Sequence, residues 1–437
     1  MSLLVTTSGV RHVVAGLRRQ QVMDVLRGAA FITAVLMAWV SLRPFADLEN
    51  VGLKDATNGN EVPTYLAFGC MALLTVSLAI RDNMRGVASL LTPGFMLFGA
   101  WMVTSVVLSL EPGTSIRRFS LTACVIVVAA TLMLLPKSQD ELMRWLSIAA
   151  LALLAMCFLG VVLVPHLSVH LATETQEPQL AGDWRGAFGH KNMAAGMMVM
   201  LLFIGVYAMR SGAWLSGGAI VGLASLFLYG TGGKSSLMLS FVVFALTSLT
   251  AVVRGLSLRL VMLLTPLILL NLLSIGTVMF ENLAEIAKML PLDSSFTGRT
   301  DIWTFALDSV QLRLPTGYGF AAFWGTDTIR ALPQGMEWTE YASHSHNGYL
   351  DTTLAMGLPG LALLIAVLVI VPLRNFQAAD HGGNNGPLAL LLLRIWLFGV
   401  YLSSMESFYF DRSDPLWFTF LLAVFGLHYM ARFRLRP

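Results

Sequence analysis

Apolar residues recur along this chain in runs that can each cross a lipid bilayer as a helix. A helix needs about 20 residues to span the hydrocarbon core, and hydropathy marks about twelve such runs. They predict an all-α integral membrane protein with about twelve transmembrane helices. The predicted spans are residues 28–43, 62–80, 87–110, 119–135, 145–164, 193–209, 213–229, 236–253, 259–280, 350–372, 387–405 and 415–431.

Polar residues concentrate in two connections between these spans. The first covers residues 165–192, and the second, which is much longer, covers residues 281–349. A connection of that length is usually either functional or disordered, and its many aromatic residues argue against disorder. We therefore expect the chemistry of the protein to lie in the second connection.

Composition agrees with a lipid environment. Hydrophobic residues make up 56% of the chain, charged residues make up 12%, and mean hydropathy is +0.72, whereas soluble domains carry about 25% charged residues. The net charge of +3 is small and no basic block occurs, so nucleic acid is not an expected partner. The cysteines, Cys70, Cys124 and Cys157, fall inside predicted spans without metal or disulfide spacing. The first span lacks a signal-peptide cleavage pattern and is expected to remain as a helix.

The distribution of Lys and Arg sets the expected orientation. Basic residues are enriched in both tails and in the even-numbered connections, which places both termini in the cytoplasm, with Arg117-Arg118 as an exception. Both polar connections then lie outside, beyond the reach of cytoplasmic ATP, nucleotide sugars and NAD, so we expect no cofactor. The expected parts are an N-terminal five-span segment (1–164), an external basic loop (165–192), central spans (193–280), a large external catalytic loop (281–349) and a C-terminal three-span segment (350–437).

The external basic loop ends in three cationic or potentially cationic residues, Arg185, His190 and Lys191, among several glycines. The next span is predicted to begin at about Met193, so its free N–H groups and positive dipole end would form an anion site with this cluster. The alternative is that Arg185 and Lys191 anchor lipid headgroups. Anchoring alone needs neither the glycines nor His190, which favours the functional interpretation.

The large external loop begins with a second basic site at Arg299. Apolar and aromatic residues repeat at helical spacing over residues 300–310, with Thr300 as the expected N-cap. The Arg299 guanidinium and the free N–H groups of that helix would then converge on one phosphate. Alternatively, Arg299 pairs with Asp301 or Asp308 and only braces the loop. The aromatic stripe is expected to pack against the membrane face.

The same loop ends in His344-Ser345-His346-Asn347, directly before the tenth span. Residues 315–320 are predicted to form a tight bend that returns the chain toward Arg299. An imidazole suits proton abstraction near neutral pH. Two alternatives remain open: a metal site completed by His190 or Asp351, and a structural histidine that caps the next helix.

Two further basic residues lie close to or within predicted spans. Lys234 follows a glycine-rich turn that is not a phosphate loop, because Leu228 takes the first glycine position and no strand precedes it. Lys234 remains a candidate for the external anionic site. Arg394 lies well inside a predicted span, where it either snorkels or pairs with Glu406.

Four motifs resemble the O-antigen ligase and polymerase superfamily of bacterial envelope glycan assembly, and within it the exopolysaccharide polymerases of the succinoglycan type. They lie between about residues 180 and 375 and are Trp184-Arg185-Gly186-Ala187-Phe188-Gly189-His190-Lys191-Asn192, Thr231-Gly232-Gly233-Lys234-Ser235-Ser236, Thr297-Gly298-Arg299-Thr300-Asp301-Ile302-Trp303 and His346-Asn347-Gly348-Tyr349-Leu350-Asp351. The resemblance implies a fold of the C-type glycosyltransferase kind and catalytic functions, without a metal, for Arg185, Arg299 and His346. The expected substrate contacts are Lys191, His190, Lys234, His344, Asn347 and Asp301.

The resemblance also implies a donor glycan linked to undecaprenyl pyrophosphate at the outer face of the bacterial inner membrane. The expected reaction transfers this glycan to a hydroxyl of an acceptor sugar and polymerises exopolysaccharide or O-antigen repeat units. The alternatives are an O-antigen ligase that attaches glycan to lipid A–core, a polytopic transporter or flippase of lipid-linked glycan, and a non-catalytic scaffold. Expected partners are the lipid-linked donor, the glycan acceptor, membrane lipid and other envelope polysaccharide assembly proteins.

Overall fold

The computed structural model describes residues 7–40, 44–48, 62–174, 177–289, 299–330, 332, 342–384, 386–412 and 414–434. Within these ranges the chain is helical, and the β-structure there is one isolated bridge between Val169 and Trp184. A 3₁₀ turn covers Pro178–Leu180, and Ile365–Ile370 form a π-helical stretch. The α-helices are α1 (Thr7–Val40), α2 (Val62–Ala88), α3 (Pro93–Val107), α4 (Pro112–Leu132), α5 (Gln139–Leu163), α6 (Pro165–Ser168), α7 (Lys191–Arg210), α8 (Trp214–Gly230), α9 (Lys234–Leu249), α10 (Leu256–Leu273), α11 (Ile275–Met279), α12 (Glu281–Met289), α13 (Thr300–Leu312), α14 (Asp327–Arg330), α15 (Gly348–Leu364), α16 (Val371–His381), α17 (Pro387–Leu402) and α18 (Pro415–Met430).

Seven helical stretches in the described ranges are long and apolar enough to cross a bilayer, and five more apolar helices have 10–17 residues. Each predicted span overlaps one of these helices. The protein is therefore an all-α, multi-pass membrane protein. The five shorter helices fall below the roughly 20 residues that a perpendicular span needs, so the number of crossings stays a prediction. They are α3, α8, α9, α17 and α18.

Helices α17 and α18 form the most enclosed part of the bundle. Every residue of α18 is buried, and so is every residue of α17 except Pro387 and Leu390. Such helices are hydrophobic all round because other helices surround them. The connection between them, residues 403–414, is therefore held in place by a closely packed pair.

Helix α15 is broken near its middle. Gly357 has a φ of +66° and a ψ of −174°, a backbone conformation that L side chains rarely adopt. Beyond the break, Leu358 donates its N–H to the carbonyl oxygen of Leu314 at 2.9 Å. The carbonyl of Leu354 thereby loses its ordinary helical donor and needs another.

The predicted bend at residues 315–320 supplies the donors that the broken helix lacks. Pro359 has no N–H for the carbonyl of Ala355. Tyr318 donates its backbone N–H to Leu354 at 2.7 Å, and Gly319 donates to Ala355 at 3.1 Å. The returning chain is thus hydrogen-bonded to α15, and the bend expected there is confirmed.

The aromatic stripe of α13 packs against α15 and the returning chain. Trp303, Phe305, Ala306 and Val310 are buried. They form a second hydrophobic core with residues that follow in the same polar segment and in α15: Tyr318, Phe323, Trp324, Ile329, Leu350 and Leu354. The described part of the predicted loop 281–349 is therefore a folded layer, called the polar layer below, that carries α12, α13 and α14.

The exception to the charge rule has a local cause at Arg118. Its guanidinium donates to the carbonyl oxygens of Ala321 and Trp324, both in the returning chain. The carbonyl of the preceding residue, Arg117, accepts from the Tyr65 hydroxyl at 3.0 Å. Because Arg118 holds the polar layer in place, its position on that side follows from packing rather than from orientation signals.

Candidate functional site

The candidate site is centred on the carboxylate of Glu406, in the connection between α17 and α18. Its Oε1 accepts hydrogen bonds from Arg299 Nη2 at 3.1 Å and from Asn192 Nδ2 at 2.9 Å. Its Oε2 lies 3.4 Å from His346 Nδ1. One carboxylate thus joins the start of α7, the start of α13, the chain before α15 and the end of α17.

These three charged or titratable groups are partly open to the surroundings. The side chains of Arg299 and Glu406 are each 21% exposed, and that of His346 is 29% exposed. Burial opposes ionisation of Glu406, but the hydrogen bond with His346 and the charge of Arg299 outweigh it, and the pKa of Glu406 falls to about 2. The site therefore holds a carboxylate that stays ionised across the physiological range.

His346 is held in a strained backbone conformation. Its φ of +55° lies in the left-handed region, which is costly for a residue with a side chain. Its backbone N–H donates to His344 Nδ1 at 3.3 Å, and the two imidazole rings lie edge to face with centroids 4.2 Å apart. Burial, followed by the nearby charge of His346, lowers the pKa of His344. Strain of this kind is typical of functional sites.

The residue between the two histidines is fixed by Asp351 and two tryptophans. The Ser345 backbone N–H donates to both carboxylate oxygens of Asp351, at 3.1 and 3.2 Å, and Trp303 Nε1 donates to the Ser345 carbonyl at 2.9 Å. Trp324 Nε1 donates to Asp351 Oδ1 at 2.8 Å. Asp351 therefore fixes the turn that presents His346.

Asn347, and not a histidine, caps α15. Its Oδ1 accepts from the backbone N–H groups of Tyr349 and Leu350, each at 3.0 Å. Its Nδ2 donates to Asn271 Oδ1 at 3.1 Å and to the Ser404 carbonyl at 3.0 Å. The alternative of a capping histidine is therefore wrong. The expected substrate contact of Asn347 stays a prediction, made for a side chain that is fully buried here.

Arg299 itself precedes α13 as its N-cap residue, so the expectation that Thr300 is the cap is wrong. No side-chain hydrogen bond caps that helix end. Instead, the guanidinium points across to the end of α17, where Nη1 donates to the Met405 carbonyl and Nη2 donates to Glu406. Two donors of one planar group thus bind two adjacent residues, which is a geometry suited to arginine.

Several ion pairs expected from the sequence are absent among the described residues: Arg299 with Asp301, Arg299 with Asp308, and Arg394 with Glu406. Asp301 is exposed on the first turn of α13, and its expected substrate contact stays a prediction. Arg394 donates Nε to Thr247 Oγ1 at 3.2 Å and lies over the ring of Phe244 at 4.8 Å. Glu406 does not pair with Arg394 and instead contacts Arg299, Asn192 and His346.

Arg185 lies in the same predicted polar connection, residues 165–192, as Asn192, but it is directed into the protein. Its side chain is fully buried, with Nη2 donating to the Ala46 carbonyl at 2.7 Å and Nη1 to the Phe188 carbonyl at 3.3 Å. Its Nε has no hydrogen-bond partner among the described residues. Among the described residues no hydrogen bond or ion pair joins Arg185 to the Glu406 carboxylate, so the structure groups Arg299 with His346 and does not bring Arg185 to them.

His190 positions the start of α7. The helix begins at Lys191, two residues earlier than predicted, and His190 is its N-cap, with Nδ1 accepting from the Asn192 N–H at 3.1 Å. The other ring nitrogen, Nε2, lies 2.7 Å from Glu177 Oε2 and lowers the pKa of Glu177. This cap directs the Asn192 side chain to Glu406. The predicted polar connection 165–192 therefore reaches the site through Asn192.

Lys191 and Lys234 lie on adjoining turns. Lys191 Nζ pairs with Asp183, and its side chain is only 16% exposed, so neither Lys191 nor the buried Arg185 is available as a lipid anchor. Lys234 is the exposed first residue of α9. A Cβ added at Gly232, in the turn before it, would lie 2.8 Å from Asp183. Lys191 and the turn that precedes Lys234 thus both lie close to the Asp183 carboxylate.

Sequence reasoning missed Glu406 as part of the site, and it missed a buried pair formed by His170 and Glu174. His170 Nδ1 lies 2.7 Å from Glu174 Oε2, and His170 Nε2 accepts from the Lys191 N–H at 3.2 Å. Both side chains are buried, so this pair holds the N-terminus of α7. The spacing of His170 and Glu174, four residues apart, is the signal that could have revealed the pair. Glu406 has a weaker signal, a carboxylate between serines directly after a span.

The open alternative of a metal finds little support in these contacts. Asp351 is occupied by Ser345 and Trp324, and His190 is occupied by Glu177. Within the ranges that the structure describes, no group of three or more His, Cys, Asp and Glu side chains could hold a metal ion. Two residues of the third motif, Thr297 and Gly298, lie outside the described residues.

Comparison with known proteins agrees with these motifs. Residues 196–365 match the O-antigen ligase (Wzy_C) family model. The chain is also 27% identical over 209 residues to the exopolysaccharide production protein ExoQ of Rhizobium meliloti (strain 1021). That alignment covers 42% of this chain and 45% of the relative, so the match spans less than half of the relative's length. The resemblance to the O-antigen ligase and polymerase superfamily is thereby confirmed, and the aligned part of the chain is similar to ExoQ.

Proposed function

We propose that the protein transfers a glycan from an undecaprenyl-pyrophosphate-linked donor to a hydroxyl group of an acceptor sugar. The reaction would take place at the external face of the bacterial inner membrane, with both chain termini in the cytoplasm. The observation that carries this proposal is the Glu406 carboxylate, which brings Arg299 and His346 together at a partly exposed place. A guanidinium for the leaving diphosphate and an imidazole for the attacking hydroxyl are the groups that this transfer needs.

The proposed step is a direct displacement. The acceptor hydroxyl oxygen forms a bond to the anomeric carbon of the donor glycan, and its proton passes to His346. The bond from the anomeric carbon to the diphosphate oxygen breaks, and its electron pair leaves with undecaprenyl pyrophosphate. Arg299 stabilises the negative charge that develops on that oxygen. Configuration at the anomeric carbon is inverted.

The remaining basic residues form the surroundings of this step. Lys191 and Lys234 supply positive charge at the neighbouring turns, which favours a diphosphate at close range. Arg185 was expected to bind the diphosphate as well. Its contacts with the Ala46 and Phe188 carbonyls support instead the function of holding the loop that carries His190 and Asn192.

The acceptor distinguishes two candidate functions. A polymerase passes the glycan to another lipid-linked repeat unit, and the similarity to an exopolysaccharide production protein favours this function. A ligase passes the glycan to lipid A–core, and the match to the O-antigen ligase family favours that one. We take polymerisation as the first candidate because the motifs resemble the succinoglycan-type polymerases.

Deletion of the gene followed by gel analysis of surface and lipid-linked glycans tests both candidates. Loss of polymerisation leaves single-repeat glycans, whereas loss of ligation leaves long chains on the lipid carrier. The deletion strain is then complemented with the wild-type gene and with a His346→Asn variant that is present in the membrane at the same level. Normal glycan length and normal attachment in the deletion strain would exclude both functions.

A further inference from the structure

Glu406 carries two kinds of contact that serve the two proposed catalytic groups separately. Oε1 accepts from Arg299 and Asn192, while Oε2 faces His346 Nδ1. The same carboxylate therefore neutralises the guanidinium that would bind a diphosphate and orients the imidazole that would act as base. No expectation from the sequence gave Glu406 either function.

We infer that Glu406 is a positioning residue that holds His346 in its reactive tautomer and occupies Arg299 until the donor diphosphate displaces it. This inference rests on the proposed function. The ligand class it names is a lipid-linked diphosphate, which competes with an internal carboxylate for one arginine. The displaced carboxylate then acts on His346 alone.

Hydrogen bonding distinguishes His346 from His344 as the base. His346 Nδ1 donates its proton toward Glu406 Oε2, which leaves Nε2 with a free lone pair. His344 Nδ1 already accepts from the His346 backbone N–H, so the proton of a neutral His344 ring is on Nε2. A neutral His344 therefore has no lone pair to offer, and His346 is the ring that can take the acceptor proton.

Exchange at Arg299 links donor binding to the positioning of the base. A diphosphate carries more negative charge than a carboxylate and accepts two parallel hydrogen bonds from a guanidinium. Its arrival would draw Arg299 Nη2 away from Glu406, while Asn192 still holds Oε1. The carboxylate would then act on His346 without the neighbouring guanidinium when the acceptor hydroxyl must be deprotonated. Donor binding thus leaves Glu406 to position the base.

The experiment measures undecaprenyl pyrophosphate binding and glycan transfer by the full chain in lipid nanodiscs. In Glu406→Gln, loss of the competing charge should tighten binding of undecaprenyl pyrophosphate about threefold to tenfold. Transfer should fall about 10- to 100-fold, because the base is no longer held by a charged partner.

Asp380→Asn is the matched control. Asp380 pairs with Arg259 at 2.6 Å, and this ion pair is also largely buried but lies at the far end of α16, away from His346. Its loss should lower the melting temperature and leave both undecaprenyl pyrophosphate binding and the transfer rate unchanged. The comparison separates loss of any buried carboxylate from loss of this particular one.

Weaker binding of undecaprenyl pyrophosphate by Glu406→Gln, or an unchanged transfer rate, would overturn the inference while wild-type binding leaves the proposed function intact. If the wild-type protein binds no undecaprenyl pyrophosphate, the proposed function itself fails. If Glu406→Gln does not fold, the same measurements are made on Glu406→Asp, because a shorter carboxylate cannot contact both Arg299 and His346. Tighter binding with slower transfer in Glu406→Asp supports the inference, and equal loss of both overturns it.

Discussion

His346 combines a strained backbone with an imidazole whose Nε2 has no hydrogen-bond partner among the described residues. Replacing it by asparagine removes the base but keeps a residue that tolerates the left-handed region best after glycine. We expect His346→Asn to lower glycan transfer about 10²- to 10⁴-fold with little change in melting temperature. Transfer rates and thermal melts of the purified protein provide the check. A melting temperature that drops in step with activity would mean that His346 is structural.

Arg299 and Arg185 should respond oppositely to replacement by lysine, because one is partly exposed and the other is fully buried. Arg299→Lys loses the paired donors and should slow transfer about 10²- to 10³-fold at nearly normal stability. Arg185→Lys leaves a buried carbonyl of Ala46 or Phe188 without a donor, which costs about 1–3 kcal/mol of stability. Melting temperature and transfer rate are measured for both variants. A stable but inactive Arg185→Lys protein would instead place Arg185 at the diphosphate.

Glu406 should make stability depend on pH in the acidic range. Its pKa in the folded protein is about 2, below the ordinary value of 4.5, so its stabilising contribution is fully present above about pH 4.5 and is lost as the pH falls toward 2. At pH 3 the loss amounts to about 2 kcal/mol. Melting temperatures between pH 7 and pH 3 should therefore fall more steeply for the wild type than for Glu406→Gln. Parallel curves would contradict the assigned contacts.

At the scale of elements, the contact between the bend at residues 315–320 and the broken helix α15 holds the polar layer in position. Gly317 has a φ of +68°, and a Cβ added there would lie 2.6 Å from the backbone of Ala355. Gly317→Ala should therefore push the bend away from α15, increase protease cleavage near residues 315–320 and reduce transfer. Gly69→Ala in α2 is the control, since its added Cβ meets nothing within 4 Å. Equal protease resistance in both variants would show that this contact is not needed.

The elements themselves followed from the apolar pattern, while their ends and breaks did not. Every predicted span overlaps an observed helix because apolar length alone fixes a helix in lipid. Helix α7 starts two residues early because His190 and His170 satisfy its first N–H groups. The break at Gly357 was not predicted, since an isolated glycine in an apolar run is compatible with a helix until the donors of Tyr318 and Gly319 are known.

At the scale of the whole molecule, the expected orientation places α13 outside the cell membrane and the end of α16 inside. In a chain whose native cysteines are replaced by alanine, Asp301→Cys and Gly382→Cys introduce thiols at exposed positions of these two regions. A membrane-impermeant maleimide should label Asp301→Cys in spheroplasts and label Gly382→Cys only after permeabilisation. The reverse labelling pattern would place the site on the cytoplasmic side and contradict the proposal of a lipid-linked donor at the external face.

The candidate site was predictable in its residue types and only partly in its membership. Arg299 and His346 were expected to meet, because the polar segment begins with one and ends with the other, and the Glu406 contacts bring them together. Arg185 was expected beside them, but its guanidinium is bound to backbone carbonyls. A sequence gives the charge of an arginine but not its direction, which depends on which carbonyls lack donors nearby.

The sequence by itself determined that this chain is a membrane-embedded helical protein with its chemistry in two polar connections, because hydropathy and residue type are properties of single positions and short runs. Tertiary structure alone decided that Glu406 would be the common partner of Asn192, Arg299 and His346. Each of these three residues lies 60 or more positions from Glu406 along the chain. Their meeting depends on how α7, α13, α15 and α17 pack, and helix packing is set by the shapes of whole faces rather than by any local pattern.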